Sequence, residues 1–251
     1  MMIRDVQKHF GPPLEADSIL AANKHPADNQ GIRQYQFKHF EFQVNDRVFK
    51  PSKTGQILHE MLYNSDLTNK KVIVMGTGCG VEPVLCAYRG AKQCFACDVH
   101  PDSIACAMQN YERNGTPIST TEAHFVVSDL FEQIPANTMA DLICFDPPAV
   151  KVKFSENPDH IRSSCTGASI LQRFFAQIKA KNALHQHGLA HVMISNTADQ
   201  EQIVHDAYQQ GFAVKQCQSY SWDAPYQQVK TLRLAFIQAD EPKAMLDNNG
   251  H

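Results

Sequence analysis

Apolar and polar positions alternate along this chain with two different periods. Val72-Ile73-Val74-Met75 is a continuous apolar run that breaks into Gly76-Thr77-Gly78-Cys79-Gly80. A β-branched run of that length reads as a buried strand over 71–75, turning sharply into a helix over 80–89. Cys94-Phe95-Ala96-Cys97-Asp98 is a second such run, a strand over 93–98. The pattern continues with a helix over 101–114, strands over 123–128 and 140–145, a helix over 168–184, a strand over 188–195 and a helix over 198–210; strands over 212–219 and 229–238 finish it. Upstream, Phe40, Phe42 and Val44 alternate with polar residues, Asn45-Asp46 supplies turn chemistry and Val48-Phe49 starts a return strand, so a β-hairpin is predicted there. Pro51-Ser52 ends it and offers a cap to a helix over 54–64, where Ile57, Leu58, Met61 and Leu62 keep helical spacing.

Strands separated by helices require a mostly parallel sheet covered on both faces, with ligands at the carboxyl ends of the strands. The last two strands are joined by Asp223-Ala224-Pro225-Tyr226 without a helix, so they form an antiparallel pair at the sheet edge. The predicted fold is therefore α/β and doubly wound: a mostly parallel seven-stranded sheet with an antiparallel final edge strand, preceded by a small N-terminal segment and the hairpin. Residues 1–45 are polar, are broken by Gly11-Pro12-Pro13 and Pro26, and carry a short helix over 15–23. They are expected to be an accessory, substrate-recognition segment; 46–239 form the catalytic domain and 240–251 a disordered tail.

Composition removes several classes of partner. The 251 residues carry 23 basic and 26 acidic side chains, so no global attraction to DNA or to an anionic membrane is expected. Met1 to Phe10 lacks a signal-peptide core and no apolar stretch reaches membrane-spanning length, which predicts a soluble, cytoplasmic protein. Of the eight cysteines, Cys94 and Cys97 form a C-x-x-C inside a strand, where their sulfurs point to opposite faces. Buried free thiols are the expectation, and no metal site.

Glycines on alternate positions at a strand end bring the backbone close to a ligand. The dinucleotide fingerprint G-x-G-x-x-G is broken at Val81, and Glu82 in the first turn of the next helix repels a pyrophosphate but not an ammonium or a sulfonium. Both points favour S-adenosyl-L-methionine over a nicotinamide dinucleotide. Asp98, about twenty residues after the glycines, stands where such sheets hold two ribose hydroxyls. It also has a structural alternative as a cap for the helix opened by Pro101.

With these residues in order the chain resembles the Rossmann-like (class I) S-adenosylmethionine-dependent methyltransferases, in particular the small-domain group that modifies ribosomal RNA amino groups or protein glutamine amides. The resemblance covers about residues 40 to 238. It rests on Gly76-Thr77-Gly78-Cys79-Gly80 with Ala87 and Gly90, on Asp98, on Asn110 with Asn114-Gly115, on Ser128-Asp129-Leu130-Phe131, on Asp141 through Pro148, and on Val48 through Ser52 with Leu58. It implies that Gly76, Thr77, Gly78 and Gly80 wrap the methionine part of the cofactor and that Asp98 and Val99 hold the ribose. Asp129 would accept the adenine amino group, backbone amides beside Ser128, Asp129 and Leu130 would complete adenine recognition, and the turn around Pro51 would close over the cofactor. Asp146, Pro147 and Pro148 are implied as the catalytic group. Two prolines after the strand-end acid freeze the backbone, so the Asp146 carboxyl and the Pro147 carbonyl become fixed acceptors for a nitrogen.

The chain departs from the group twice. Val74 stands where relatives carry an acid, which leaves Glu82 or an N-terminal group to replace it. Ala149 stands where amino-methylating relatives carry an aromatic ring. A macromolecular acceptor, RNA or protein, is expected; a small-molecule acceptor and a non-catalytic binding module that kept the fold are the alternatives. The loop from Lys151 to Cys165, and Trp222 with Tyr226, fit substrate contact and plain surface roles equally well.

Overall fold

A computed structural model describes residues 1–22, 31–115, 120–153, 156, 167–224 and 227–239, with backbone alone at 20–22, 224 and 227. The predicted tail over 240–251, residues 23–30, most of the loop to Cys165, and Pro225-Tyr226 lie outside the described residues. Two short helices, α1 (Ile3–Gln7) and α2 (Ala16–Ala22), precede a hairpin of β1 (Arg33–Phe37) and β2 (Phe40–Val44). Then come α3 (Lys53–Tyr63), β3 (Lys71–Met75), α4 (Val81–Tyr88), β4 (Gln93–Asp98), α5 (Pro101–Arg113), β5 (Glu122–Val127) and β6 (Ala140–Phe145). The chain continues through α6 (Ser169–Lys181), β7 (Leu184–Ser195), α7 (Gln200–Gln209), β8 (Phe212–Ala224) and β9 (Gln227–Gln238).

The larger sheet has seven strands in the order β5-β4-β3-β6-β7-β9-β8, so the doubly wound class read from the sequence holds. Pairs β3–β4, β3–β6 and β4–β5 are parallel. β9 runs antiparallel to both β7 and β8, which places the antiparallel pair at that edge with β8 outermost. The apolar runs over 71–75, 93–98 and 140–145 became strands with the expected bounds. β7 begins four residues earlier than the apolar pattern and β8 runs to Ala224, because cross-strand pairing extends polar segments that have no strand signal of their own.

Contacts divide the chain into two compact units, one of His25–Asp146 with Ala180–Gly188, the other of Met1–Lys24, Pro147–Lys179 and Leu189–His251. The second unit packs Phe175 against Phe212 and Phe236, each with ring centroids 4.9 Å apart. Its N-terminal residues are fastened to it by polar contacts: Asn196 Nδ2 donates to Pro12 O at 3.1 Å and Gly11 N donates to Gln200 Oε1 at 3.0 Å.

In the first unit the hairpin differs from the sequence expectation. Phe40, Phe42 and Val44 do form a strand, but its partner precedes it: Tyr35 pairs with Phe42 and Phe37 with Phe40. The reversal falls at Lys38-His39, with Lys38 in the left-handed region at φ 54°, and carries none of the usual glycine or Asn-Gly signals. Asn45-Asp46 does turn the chain, for Val48 N donates back to Asn45 O at 3.2 Å, and Val48 is buried without becoming a strand.

The outer edge of β2 is closed by two asparagines rather than by another strand. Asn110 Oδ1 accepts Gln43 N at 2.9 Å and its Nδ2 donates to Gln43 O at 2.6 Å. One helical turn on, Asn114 makes the same pair of bonds to Glu41 N and Glu41 O, at 3.1 and 2.9 Å. The spacings match: four helical residues rise about 6 Å and two strand residues about 6.6 Å. Each amide satisfies a backbone N–H and C=O that an edge strand leaves open. Asn110, 1% exposed, also donates to Cys79 O at 2.8 Å, so its truncation leaves one buried and two part-buried backbone groups without this partner. Asn110→Ala is expected to lower the unfolding free energy by about 3 kcal/mol or more, and Asn114→Ala by about 1 kcal/mol, in urea titrations.

Candidate active site

Strand register sets the site. Met75 pairs with Cys97 on one side and Phe145 on the other, and Asp98 pairs with Val127. The next step along β3, β4 and β6 therefore puts Gly76, Asp98 and Asp146 in one row at the carboxyl ends, with Ser128 beyond the end of β5. In this sheet order β3 is followed by neighbours on both sides, so the row spans a point where the chain reverses its direction of winding.

The glycine turn contains two kinds of glycine. Gly76, Gly78 and Gly80 all have positive φ, at 69, 51 and 87°. A Cβ on Gly80 would lie 2.6 Å from Ala107 Cα on α5, whereas one on Gly78 would meet nothing within 4 Å. Gly80 is thus needed for helix packing, while Gly78 leaves open space beside the turn. Thr77 N donates to Cys97 O at 2.9 Å. Thr77 Oγ1 is buried at the same turn without a hydrogen-bond partner among the described residues.

Asp98 is fixed by backbone donors. Gly78 N reaches its Oδ2 at 3.0 Å and His100 N its Oδ1 at 2.9 Å. The helix cap is His100 rather than Asp98. Val99, 51% exposed, stands next to it as uncovered apolar surface. Ser128 N donates to Asp98 O at 2.8 Å. Ser128 Oγ donates to Leu130 O at 2.7 Å and accepts Gln133 N at 3.0 Å. These bonds wind the segment so tightly that Leu130 adopts φ 49°, with Asp129 half-buried between them.

Asp146 faces the start of α3. Ser52 caps that helix by accepting Gly55 N at 3.3 Å. A Cβ on Gly55 would lie 3.5 Å from Asp146 Oδ2 and 3.8 Å from both His59 Cε1 and Pro51 Cβ. Burial, followed by the Glu82 carboxylate, pushes the Asp146 carboxyl up to about 7. Pro147 O accepts Ala149 N at 2.7 Å, so one lone pair of the carbonyl expected to face a substrate is already used. Ala149 itself is 4% exposed.

Glu82, His59 and Tyr35 form a buried chain that the sequence reading did not assemble. Glu82 Oε1 lies 3.1 Å from His59 Nε2, and His59 Nδ1 lies 3.0 Å from the Tyr35 hydroxyl. A signal for it exists in the helix pattern, because the buried stripe of α3 is Gly55, Leu58, His59 and Leu62. A histidine on an apolar stripe calls for a buried partner. Val74, at the position where an acid was lacking, is a core residue at 1% exposed.

A seven-stranded, mostly parallel sheet with a glycine turn at the end of one strand and an acid at the end of each neighbour is the frame of an S-adenosylmethionine-dependent methyltransferase. The chain belongs to the methyltransferase small domain family, whose model matches residues 48–221. A Methanocaldococcus jannaschii protein named as a candidate protein N5-glutamine methyltransferase is 27% identical over 180 residues, 70% of this chain and 86% of that protein. The ribosomal protein L11 methyltransferase of Hamiltonella defensa is 33% identical over 90 residues, 36% of this chain and 28% of that one. Among solved structures, ribosomal protein L11 methylase from Lactobacillus delbrueckii subsp. bulgaricus is similar with a TM-score of 0.55 at 18% identity, over 76% of this chain and 81% of that chain. The T. thermophilus 16S rRNA N2 G1207 methyltransferase, solved with S-adenosylmethionine and guanosine, gives 0.57 at 16% identity, over 84% and 51%. The cofactor is S-adenosylmethionine. The residues present fit it, given the open side of Gly78, the unpartnered Thr77 hydroxyl and the backbone-anchored Asp98.

Substitution separates the two glycines. Gly80→Ala is expected to destabilise the fold by about 3 kcal/mol or more through the collision with α5, and Gly78→Ala by about 1–2 kcal/mol from its left-handed backbone alone. Paired urea titrations of the two variants measure the difference.

Proposed function

We propose that this enzyme methylates an amine or amide nitrogen on RNA or protein in the cytoplasm, with a protein side-chain amide as the favoured acceptor. The observation that carries the reading is Asp146, whose carboxyl ends β6 in the row with Gly76 and Asp98 and has no hydrogen bond or ion pair among the described residues. Gly76, Thr77, Gly78 and Gly80 hold the methionine end of the cofactor, Asp98 and Val99 the ribose, and Ser128, Asp129 and Leu130 the adenine, with Pro51 beside the methyl group. When bound, the cofactor supplies an electrophilic methyl group on a sulfonium.

Asp146 accepts a hydrogen bond from the acceptor nitrogen and aims its lone pair, and the remaining lone pair of Pro147 O with the rigid Pro147-Pro148 backbone limits its rotation. The proton that nitrogen loses passes to Asp146. A site with no ring at Ala149 favours a flexible amide over a planar base, which loses a stacking contact of about 1–3 kcal/mol. Near-balanced charge and the M. jannaschii relative support the same choice. Residues 1–45 contribute to acceptor selection and 46–239 carry catalysis. The cytoplasmic assignment is supported by buried free thiols such as Cys86 and Cys94.

S-adenosylhomocysteine should bind the wild-type chain in calorimetry and be lost in Asp98→Ala; retained affinity removes Asp98 from the site. Labelled S-adenosylmethionine with cell extract should mark protein, whereas label in RNA or small molecules moves the acceptor class, and none at all favours a binding module. Asp146→Asn should bind cofactor yet lose transfer by at least a hundredfold in single-turnover assays. The carboxyl's raised value also has a stability sign. Ionising it in the folded protein is unfavourable above the ordinary carboxylate range, so stability falls from about pH 4 to 7. Asp146→Asn should therefore gain about 2–4 kcal/mol over wild type at pH 8 and almost nothing at pH 4.

A further inference from the structure

Asn45 to Pro51 carries the chain from the hairpin to α3, and its first residues are held from both sides. Arg33 on β1 gives its Nη2 to Asn45 O and Val48 O, at 2.9 and 2.6 Å. From the other side Asn45 Nδ2 donates to Gln109 Oε1 on α5 at 3.2 Å. Between these holds Arg47 takes φ 66°, a left-handed conformation that is unfavourable for a long side chain. Such backbone strain persists only where the surrounding contacts over-determine it.

From that turn the Arg47 side chain reaches the start of α5. Its Nη1 lies 3.1 Å from Asp102 Oδ2 and its Nη2 3.4 Å from His100 Nε2. His100 is the residue whose backbone N–H donates to Asp98 Oδ1, so Arg47 grips the segment that fixes Asp98. Further along the chain Ser52 caps α3 by accepting Gly55 N. A Cβ on Gly55 would lie 3.8 Å from Pro51 Cβ and 3.5 Å from Asp146 Oδ2. Residues 47–52 therefore run from the Asp98 end of the strand-end row to its Asp146 end. Val48 is buried and roots the span, whereas Phe49 and Lys50 in its middle are exposed.

We propose that Arg47 is a positioning residue for the methyl donor: its ion pair with Asp102 pins residues 48–51 as a strap across the cofactor and slows the release of donor and product. The proposal rests on the cofactor site described above. Arg47 touches no reacting atom and acts through the backbone it closes. The pair is about half exposed, and such pairs contribute little to global stability. A strap with one buried residue has little packing of its own, so a contact of that size decides how often it lifts. The strained turn at Arg47 holds the guanidinium where this pin needs it.

Release of labelled S-adenosylhomocysteine from the full chain into excess unlabelled ligand, followed by rapid filtration, tests it. Arg47→Ala is expected to raise the dissociation rate constant about three- to tenfold while the urea midpoint stays nearly unchanged. Asp102→Asn should give a similar increase, and the double variant no more than either alone. Arg47→Lys keeps the charge and should recover most of the wild-type rate. Salt raised to about 0.5 M should speed release from wild type and leave Arg47→Ala unaffected. An unchanged rate in Arg47→Ala, or additive effects of the two single substitutions, overturns the proposal and leaves the cofactor-site reading intact. Should Arg47→Ala fail to fold, Asp102→Asn and the salt dependence of wild type decide. Wild type that binds no S-adenosylhomocysteine overturns the cofactor-site reading, and the proposal with it.

Discussion

The site depends on one clamp, the fastening of the glycine turn to α5. Gly80 lets the turn lie against Ala107 at a distance no other residue tolerates, and Asn110 holds the Cys79 carbonyl from the same helix. The same asparagine binds the backbone of Gln43, so the turn and the hairpin are positioned by a single helix face. Asn110 has few alternatives at this place. A buried side chain must offer two donors and an acceptor to three fixed backbone groups, and only an amide of that reach does so without a charge. Removing any one of these contacts leaves a buried polar group open, which is why the clamp is cooperative rather than a sum of weak bonds.

From the clamp the rest follows by register. Parallel pairing of β3 with β4 and β6 fixes Gly76, Asp98 and Asp146 at one level, and each acid then takes its character from its surroundings. Asp98 receives two backbone N–H bonds, which fix its carboxyl in place. Asp146 receives none from the described residues and lies near a second carboxylate, which favours its protonated form. Two aspartates at equivalent strand ends thereby acquire different chemistry: one suits a fixed hydrogen-bond acceptor for hydroxyls, the other a group that exchanges a proton.

Much of this was legible in the sequence, and the remainder was not for identifiable reasons. Buried parallel strands are continuous apolar runs, so 71–75, 93–98 and 140–145 declare themselves, and so do the acids at the ends of the last two, Asp98 and Asp146. The hairpin failed because its turn, Lys38-His39, lacks glycine, while Asn45-Asp46, which has turn chemistry, bends the chain without starting a strand. The three glycines look alike as letters, yet one packs against a helix and another borders open space; only tertiary distance tells them apart. Glu82 stood out as a charge, but its partners come from β1 and α3, and no local pattern links residues 35, 59 and 82.

The buried chain of Glu82, His59 and Tyr35 borders a glycine turn whose strand carries valine at 74. A carboxylate on β3 at that position would lie within the sheet, where Val74 is covered by its neighbours. Glu82 sits instead in the first turn of α4, with its Oε1 3.1 Å from His59 Nε2, and the strand stays apolar. Burying three polar groups is unfavourable unless each is bonded, and here each is, at the edge of the glycine turn rather than in the core. The sheet therefore keeps its packing while Glu82 sits on the helix that the turn itself starts.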